Sequence, residues 1–289
     1  MPENRLPQLE KAGFMLRPNT PSIKLVYHHI KEQFNASGIE VLLLQESADM
    51  IGENGVSFDN ICTECDFLVS LGGDGTLLSL VRKSYGSGKP VLGINAGNLG
   101  FLADITQDDI PAFLEQLHSG EYRIDDRMMI EGYVEQEGKK QSFYAFNDVV
   151  ITRPIISKMA QIDAYINKEW FNAYKGDGLI VSTPTGSTAY NLASGGPVVY
   201  PLTNVFIMTP ICAHSLTQRP LVMPADFTIR LKSPNDKVVV MVDGQDSYSL
   251  AAGETLAIRG AAIGAKMLHR KERDYFSILR EKLSWGDKH

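Results

Sequence analysis

One acidic side chain, Asp74, sits inside the glycine turn Gly72-Gly73-Asp74-Gly75-Thr76, and this mixture of residue types suits phosphoryl transfer. Glycines lack a Cβ, so phosphate or ribose oxygens can approach the N-H groups of Gly72, Gly73, Gly75 and Thr76, and a following helix adds a field that favours anions. A carboxylate in such a cradle repels phosphate unless it holds a metal or accepts a proton, and both tasks belong to phosphoryl transfer. An ordinary strand-to-helix turn can carry the same residues, with Asp74 accepting backbone N-H bonds. No Gly-Lys-Ser/Thr follows the glycines, so the turn is not a Walker A loop.

A second stretch, Gly176-Asp177-Gly178-Leu179-Ile180-Val181-Ser182-Thr183-Pro184-Thr185-Gly186-Ser187-Thr188-Ala189-Tyr190, carries the densest signal. An apolar strand runs into Ser182, Thr183, Thr185, Ser187 and Thr188, and Tyr190 follows on a short helix. Hydroxyls and free helix N-H groups suit a nucleotide's sugar and phosphates, and Tyr190 offers a face for a base. A Ser/Thr capping cluster is the alternative.

The elements that must position these residues change character along the chain. From Gly13 to about Tyr122, apolar runs alternate with helical segments, as in a Rossmann-like parallel sheet with crossover helices. Strands are predicted at Gly13–Arg17, Glu40–Gln45, Phe67–Leu71 and Pro90–Asn95, and helices over Ser22–Ser37 and Ile110–His118. The fourth strand runs into a second glycine turn, Ala96 to Leu102. Two such turns on neighbouring parallel strands describe one crevice at their carboxyl ends.

After Arg127 short strands separated by turn signals suggest an all-β sandwich. They are Met128–Glu135, Ser142–Ile151, Gln161–Ile166, Leu179–Ser182, Val205–Met208, Phe227–Leu231, Val238–Val242 and Thr255–Arg259. A final helix, Lys271–Leu283, shows Tyr275, Phe276, Leu279 and Leu283 on one face and is expected to return to the first domain. The expected division is 1–122 plus 269–289 for the α/β domain and 123–268 for the sandwich.

Composition narrows the partners. A net charge of −6 and no long Lys/Arg run argue against nucleic acid. No apolar stretch has the length of a membrane helix and no signal sequence opens the chain, so no membrane partner and a cytoplasmic location are expected. Three cysteines argue against a disulfide framework. Cys62 and Cys65 read as inert thiols before the Phe67 strand, and His28-His29 as solvated residues on a helix.

With both stretches in view, the sequence resembles the NAD kinase family. The matching motifs are Gly-Gly-Asp-Gly-Thr at 72–76, Gly-Ile-Asn at 93–95 with Leu99-Gly100-Phe101-Leu102, Asn147-Asp148, the block from Gly176 to Tyr190, Gly195-Gly196-Pro197, His214-Ser215-Leu216 with Arg219-Pro220-Leu221, and Asp243-Gly244-Gln245. They run in the family's order from about Gly13 to Trp285. Gly-Gly-Asp-Gly is shared with lipid kinases and phosphofructokinases, whereas the Thr-Pro-Thr-Gly-Ser-Thr-Ala-Tyr run is much narrower.

The resemblance implies an ATP-dependent kinase that phosphorylates the 2'-hydroxyl of the adenosine ribose of NAD, with Mg²⁺ on the donor phosphates. It makes Asp74 the general base, with Gly75 beside the nucleotide. Asn147 and Asp148 would contact the dinucleotide, and Asp177 would reach a site across a subunit boundary of a homotetramer. Thr188, Ala189, Tyr190, Asn191, Leu192 and Ala193 would line the pocket, and Lys158, Lys175 and Gln245 match positions that touch ligand in some members. The charged Lys175 is associated with members restricted to ATP.

Two positions depart from the family. Asp148 stands where Glu is usual, and Ala193-Ser194 where Ser-Ala is common, which removes a hydroxyl at 193. A diacylglycerol-type lipid kinase would share Asp74 but should show a membrane-docking surface. A catalytically silent NAD-binding sensor could have lost that carboxylate freely.

Overall fold

The computed structural model describes residues 6, 9–97, 100–103, 105–136, 139–154 and 159–286. The chain forms two compact units, Met1–Asp126 with Ala265–His289, and Arg127–Gly264.

The first unit opens with β1 (Lys11–Leu16), α1 (Lys24–Ala36), β2 (Glu40–Leu43), α2 (Gln45–Ile51), α3 (Phe58–Glu64), β3 (Phe67–Gly72) and α4 (Asp74–Lys83). It continues with β4 (Val91–Asn95), β5 (Ile105–Thr106), α5 (Ile110–Ser119) and β6 (Tyr122–Arg127). Every residue of β3 and β4 is buried, as expected of parallel strands covered on both faces. Helix α1 buries Tyr27, Ile30 and Phe34, and the Phe34 ring meets Phe14 of β1 edge-on at 5.1 Å.

Two short helices replace what reads in the sequence as strand and loop. The second strand stops at Leu43, and Gln45 begins α2, which ends at Gly52 with φ 72. Cys62 lies on α3 and Cys65 at its C-terminal cap, and burial pushes both thiols up, Cys65 to about 12. His28 is not merely solvated, since its Nε2 lies 3.2 Å from Glu53.

The second unit comprises β7 (Ile130–Gln136), β8 (Lys139–Ala145), β9 (Asp148–Thr152), β10 (Ala160–Ile166), β11 (Glu169–Gly176) and β12 (Gly178–Ser182). After α6 (Tyr190–Ala193) come β13 (Val205–Ile211), β14 (Leu221–Pro224), β15 (Ile229–Lys232), β16 (Val238–Val242), β17 (Asp246–Leu250) and β18 (Thr255–Gly260). They form two antiparallel sheets of six strands, ordered β11-β10-β15-β18-β7-β8 and β14-β13-β12-β9-β16-β17. Val134, Ile162, Leu231 and Leu256 of one sheet share a core with Ile151, Leu179, Val181 and Val240 of the other, which makes the unit a sandwich. The stretch Ser142–Ile151 is two strands, broken at Phe146-Asn147.

The chain then re-enters the first unit with β19 (Ala265–Arg270) and α7 (Tyr275–Leu283). Strand β19 lies parallel to β4, with Met267 opposite Val91 and Leu268 opposite Leu92. The first sheet is therefore ordered β2-β1-β3-β4-β19-β6, with β5 also on β4. A strand as well as a helix returns, and so the second boundary falls before Ala265. On α7 the buried residues are Ile278 and Leu279, whereas Phe276 is 58% exposed.

Candidate active site

Asp74 is the first residue of α4, directly after β3 and Gly73. Its Oδ2 accepts the N-H of Phe101 at 2.9 Å, and its Oδ1 accepts those of Leu102 at 3.2 Å and Ala103 at 3.0 Å. The negative charge also faces the N-terminal end of α4, where it is favoured. A carboxylate has roughly four lone-pair positions, so these bonds fix its orientation and still leave acceptor capacity for a substrate hydroxyl. Gly100 makes this approach possible, because a Cβ there would overlap the Asp74 carboxylate.

The two glycine turns are joined at their bases. Gly72 lies opposite Asn95 in the sheet, and the Ala96 N-H donates to the Gly72 carbonyl at 2.9 Å. Arg273 adds a brace by donating to the Phe101 carbonyl at 2.8 Å. Within the expected phosphate cradle Gly75 is exposed and Gly73 half-buried, while Gly72 and Thr76 are buried against each other.

In the second unit, β9, β12 and β16 bring their site residues to one end of a sheet. Asp148 pairs with Ser182, Val149 pairs with Val242, and the Asp243 N-H donates to the Asp148 carbonyl at 2.9 Å. Asp243 has φ 52 and Gly244 φ 64, and the Gln245 N-H closes the hairpin turn on the Val242 carbonyl at 3.0 Å, which leaves three residues between the paired Val242 and Asp246. From that turn the Asp243 carboxylate accepts the N-H groups of Phe146 at 2.8 Å, Asn147 at 2.8 Å and Asp148 at 2.9 Å. These bonds account for the break between β8 and β9.

Asp148 is 5% exposed, and burial, with the Asp243 charge second, pushes its carboxyl up to about 7. Asn147 Oδ1 and Thr185 Oγ1 are both buried without a hydrogen-bond partner. Buried acceptors in that condition are costly unless a ligand or water satisfies them.

The hydroxyl-rich segment wraps over this end. Thr183 Oγ1 donates to the Phe146 carbonyl at 2.6 Å and accepts the Gly186 N-H at 3.1 Å. A Cβ on Gly186 would collide with the Asn147 backbone, so glycine is required there. After this 3-10 turn, Thr185–Thr188, comes α6. Thr188, Ala189 and Leu192 are half-buried, whereas Tyr190 and Ala193 are exposed. Asn191 differs from these neighbours. Its Nδ2 donates to the carbonyls of Ser187 and Pro197, both at 3.0 Å, and its Oδ1 accepts the Thr209 hydroxyl at 2.6 Å. This fully buried amide has its polar atoms engaged in holding the loop.

Asp177 joins β11 to β12, and its carboxylate pairs with Arg153 at 2.6 Å. Lys175 and Gln245 are exposed, and Lys158 lies outside the described residues. The sequence reading missed Arg153, Arg273 and the N-H donors of Phe101–Ala103. Asp243 is visible there only as part of the Asp243-Gly244-Gln245 motif. An Asp-Gly pair between two strands signals a hairpin turn, but no spacing rule announces three long-range N-H bonds.

Among the described residues, no group of three or more His, Cys, Asp or Glu side chains could hold a metal ion, and no helix is long and apolar enough to cross a membrane.

Comparison with known proteins identifies the architecture. The ATP-NAD kinase N-terminal domain model matches residues 3–122, and the ATP-NAD kinase C-terminal domain model matches residues 146–269. The chain is 50% identical to the NAD kinase of Sulfurimonas denitrificans over 279 residues, covering 96% of this chain and 98% of that protein. It is 40% identical to an NAD kinase of Campylobacter jejuni over 280 residues, covering 96% of this chain and 97% of that protein. The crystal structure of yeast NADH kinase complexed with NADH superposes with a TM-score of 0.89 at 26% identity, covering 97% of this chain and 89% of that one. Fold and site are those of a small-molecule kinase. With models of both domains matched over most of its length, the chain belongs to the NAD kinase family.

Proposed function

We propose that the protein transfers the γ-phosphoryl group of ATP to the 2'-hydroxyl of the adenosine ribose of NAD, giving NADP and ADP. The observation that carries this reading is the Asp74 carboxylate, aimed by the N-H groups of Phe101, Leu102 and Ala103 within the family's glycine turn. As the 2'-oxygen attacks the γ-phosphorus, the bond from that phosphorus to the bridging oxygen breaks. Its electron pair leaves with ADP, and the hydroxyl proton passes to Asp74.

Magnesium enters as part of Mg-ATP. When bound, it would draw charge off the donor phosphates as the new bond forms. In the second unit Asn147, Asp148, Thr188, Ala189, Tyr190, Leu192, Ala193 and Gln245 contact the dinucleotide, with the orphaned Asn147 Oδ1 taking a ligand donor. Asn191 shapes their loop. Lys158 and Lys175 complete the assignment, and Asp177 serves a neighbouring copy in a homotetramer working in the cytoplasm.

Purified protein given Mg-ATP and NAD tests this reading by the NADP it forms. Turnover to NADP supports it. Binding of NAD without product would instead make the protein a sensor, and phosphorylation of diacylglycerol would make it a lipid kinase.

A further inference from the structure

Away from the end of the sandwich that carries Asn147 and Asp148, the other sheet of the second unit has a basic groove on its outer face. Leu231, Leu256 and Val134 point into the core, so their neighbours Arg230, Lys232, Thr255, Ala257, Tyr133 and Glu135 point outward. Strand register sets Asp163, Lys232, Thr255, Glu135 and Lys140 in one row, and Tyr165, Arg230, Ala257 and Tyr133 in the next. Thr255 and Ala257 are small residues on the central strand β18, flanked by long side chains. The result is a groove of about 400 Å³ walled by Lys140, Lys168, Arg230 and Lys232, with Glu135 the one carboxylate in its lining.

The cations in this groove are compensated only in part, by Glu135 and by Asp163 opposite Lys232. None of the four pairs with a carboxylate among the described residues, although the chain as a whole carries a charge of −6. Arg230 Nε is buried without a partner. Lys168 occupies the second position of the β10-β11 hairpin turn at φ 76, where glycine is favoured. Asn167 pins that turn by accepting the Thr228 N-H at 3.0 Å, which holds the lysine at the rim. Like charges gathered on one sheet face repel one another, and an anion between them removes that cost.

We propose that this groove binds a compact polyanion carrying two or three phosphate groups. Lys232 on β15 and Lys140 on β8 are separated by three strand spacings, roughly 14 Å at about 4.8 Å each. A short phosphate chain reaches across such a span with less extension of either lysine than a single phosphate needs. The aromatic rings do not offer a base-stacking platform. Lys140 Nζ lies 4.6 Å from the centroid of Tyr133 and Lys232 Nζ 5.1 Å from that of Tyr165, so each ring already has a lysine over it. The ligand is therefore recognised by its phosphates, with Arg230 supplying the directional contact.

Calorimetric titration of the full chain with inorganic tripolyphosphate in magnesium-free buffer tests the site. The double variant Arg230→Gln/Lys232→Gln should bind one tripolyphosphate fewer per chain than the wild type. Lys140→Gln should weaken the same event by about tenfold, the loss of one charge-assisted contact. NADP formation from Mg-ATP and NAD should be unchanged in both, which separates this groove from the Asp74 turn. Unaltered stoichiometry and affinity in the variants, or no saturable binding by the wild type at millimolar tripolyphosphate, would overturn the proposal.

Discussion

The Asp148 N-H donates to the Asp243 carboxylate at 2.9 Å, and the Asp148 carboxyl is buried beside the charge that its own backbone helps to hold. Asp243 accepts three N-H donors, while burial and the nearby Asp243 carboxylate favour a proton on Asp148. At this position the family's usual Glu would carry its carboxyl one methylene farther from the backbone. In this chain the acid is retained where burial and a like charge oppose ionisation.

A dependence of stability on pH follows. The folded-state value of about 7 lies above the ordinary 3.8, so the folded chain binds the extra proton between those limits. Asp148's contribution is complete below the lower limit, is lost as pH rises through about 7, and is level above it. At about 1.36 kcal/mol per unit the loss amounts to a few kcal/mol. Urea unfolding at about pH 5.5 and pH 8.5 checks this, because Asp148→Asn should gain stability relative to the wild type as pH rises. A difference that does not change with pH would contradict it.

Gly100→Ala should disable the enzyme without removing a polar group. The new methyl would drive the Asp74 carboxylate from the N-H groups of Leu102 and Ala103, and its aim at the substrate hydroxyl would be lost. The expected result is a fall in kcat of about 10²-fold or more with NAD affinity little changed. Near wild-type kcat would show that the tether does not matter.

Arg153→Ala should separate two roles of Asp177. If the pair with Arg153 aims the carboxylate for a neighbouring subunit's substrate, the KM for NAD should rise several-fold while kcat changes little. A purely structural pair would lower the melting temperature and leave KM alone. Light scattering on the same preparation reports the assembly, and a fully active monomer would remove the shared site.

Much of this organisation is legible from residue patterns, and the exceptions have physical causes. Buried parallel strands such as Phe67–Gly72 announce themselves as apolar runs, and the acidic pair Asp108-Asp109 marks the entry to α5. Strand β19 was missed because Lys266, His269 and Arg270 interrupt its apolar pattern, although His269 is only 1% exposed. Edge strand β11 shows Glu169, Trp170 and Phe171 to solvent, so it lacks the alternation of a half-buried strand. Asp74 and the Gly176–Tyr190 block stand out by residue type. The partners that aim them, from Phe101–Ala103 to Asp243, act through backbone N-H groups that every residue but proline possesses.

Donor choice gives an independent check. Lys175 is exposed at the end of β11, immediately before Gly176-Asp177, where the family resemblance associates a charged residue with members restricted to ATP. Inorganic polyphosphate should support NADP formation far more slowly than ATP. Equal rates with the two donors would refute this.

The most direct test of the central claim is the initial rate of NADP formation by Asp74→Asn, measured with saturating Mg-ATP and NAD beside the melting temperature of the same preparation. The amide keeps the shape of the side chain and one oxygen, but it turns an N-H toward a backbone donor of the 101–103 segment and no longer accepts a proton as a carboxylate does. The account predicts a rate lower by roughly 10² to 10⁴, with a small drop in melting temperature and NAD binding retained. A destabilised protein that turns over at close to the wild-type rate would contradict it, and would leave Asp74 as a brace between the two glycine turns.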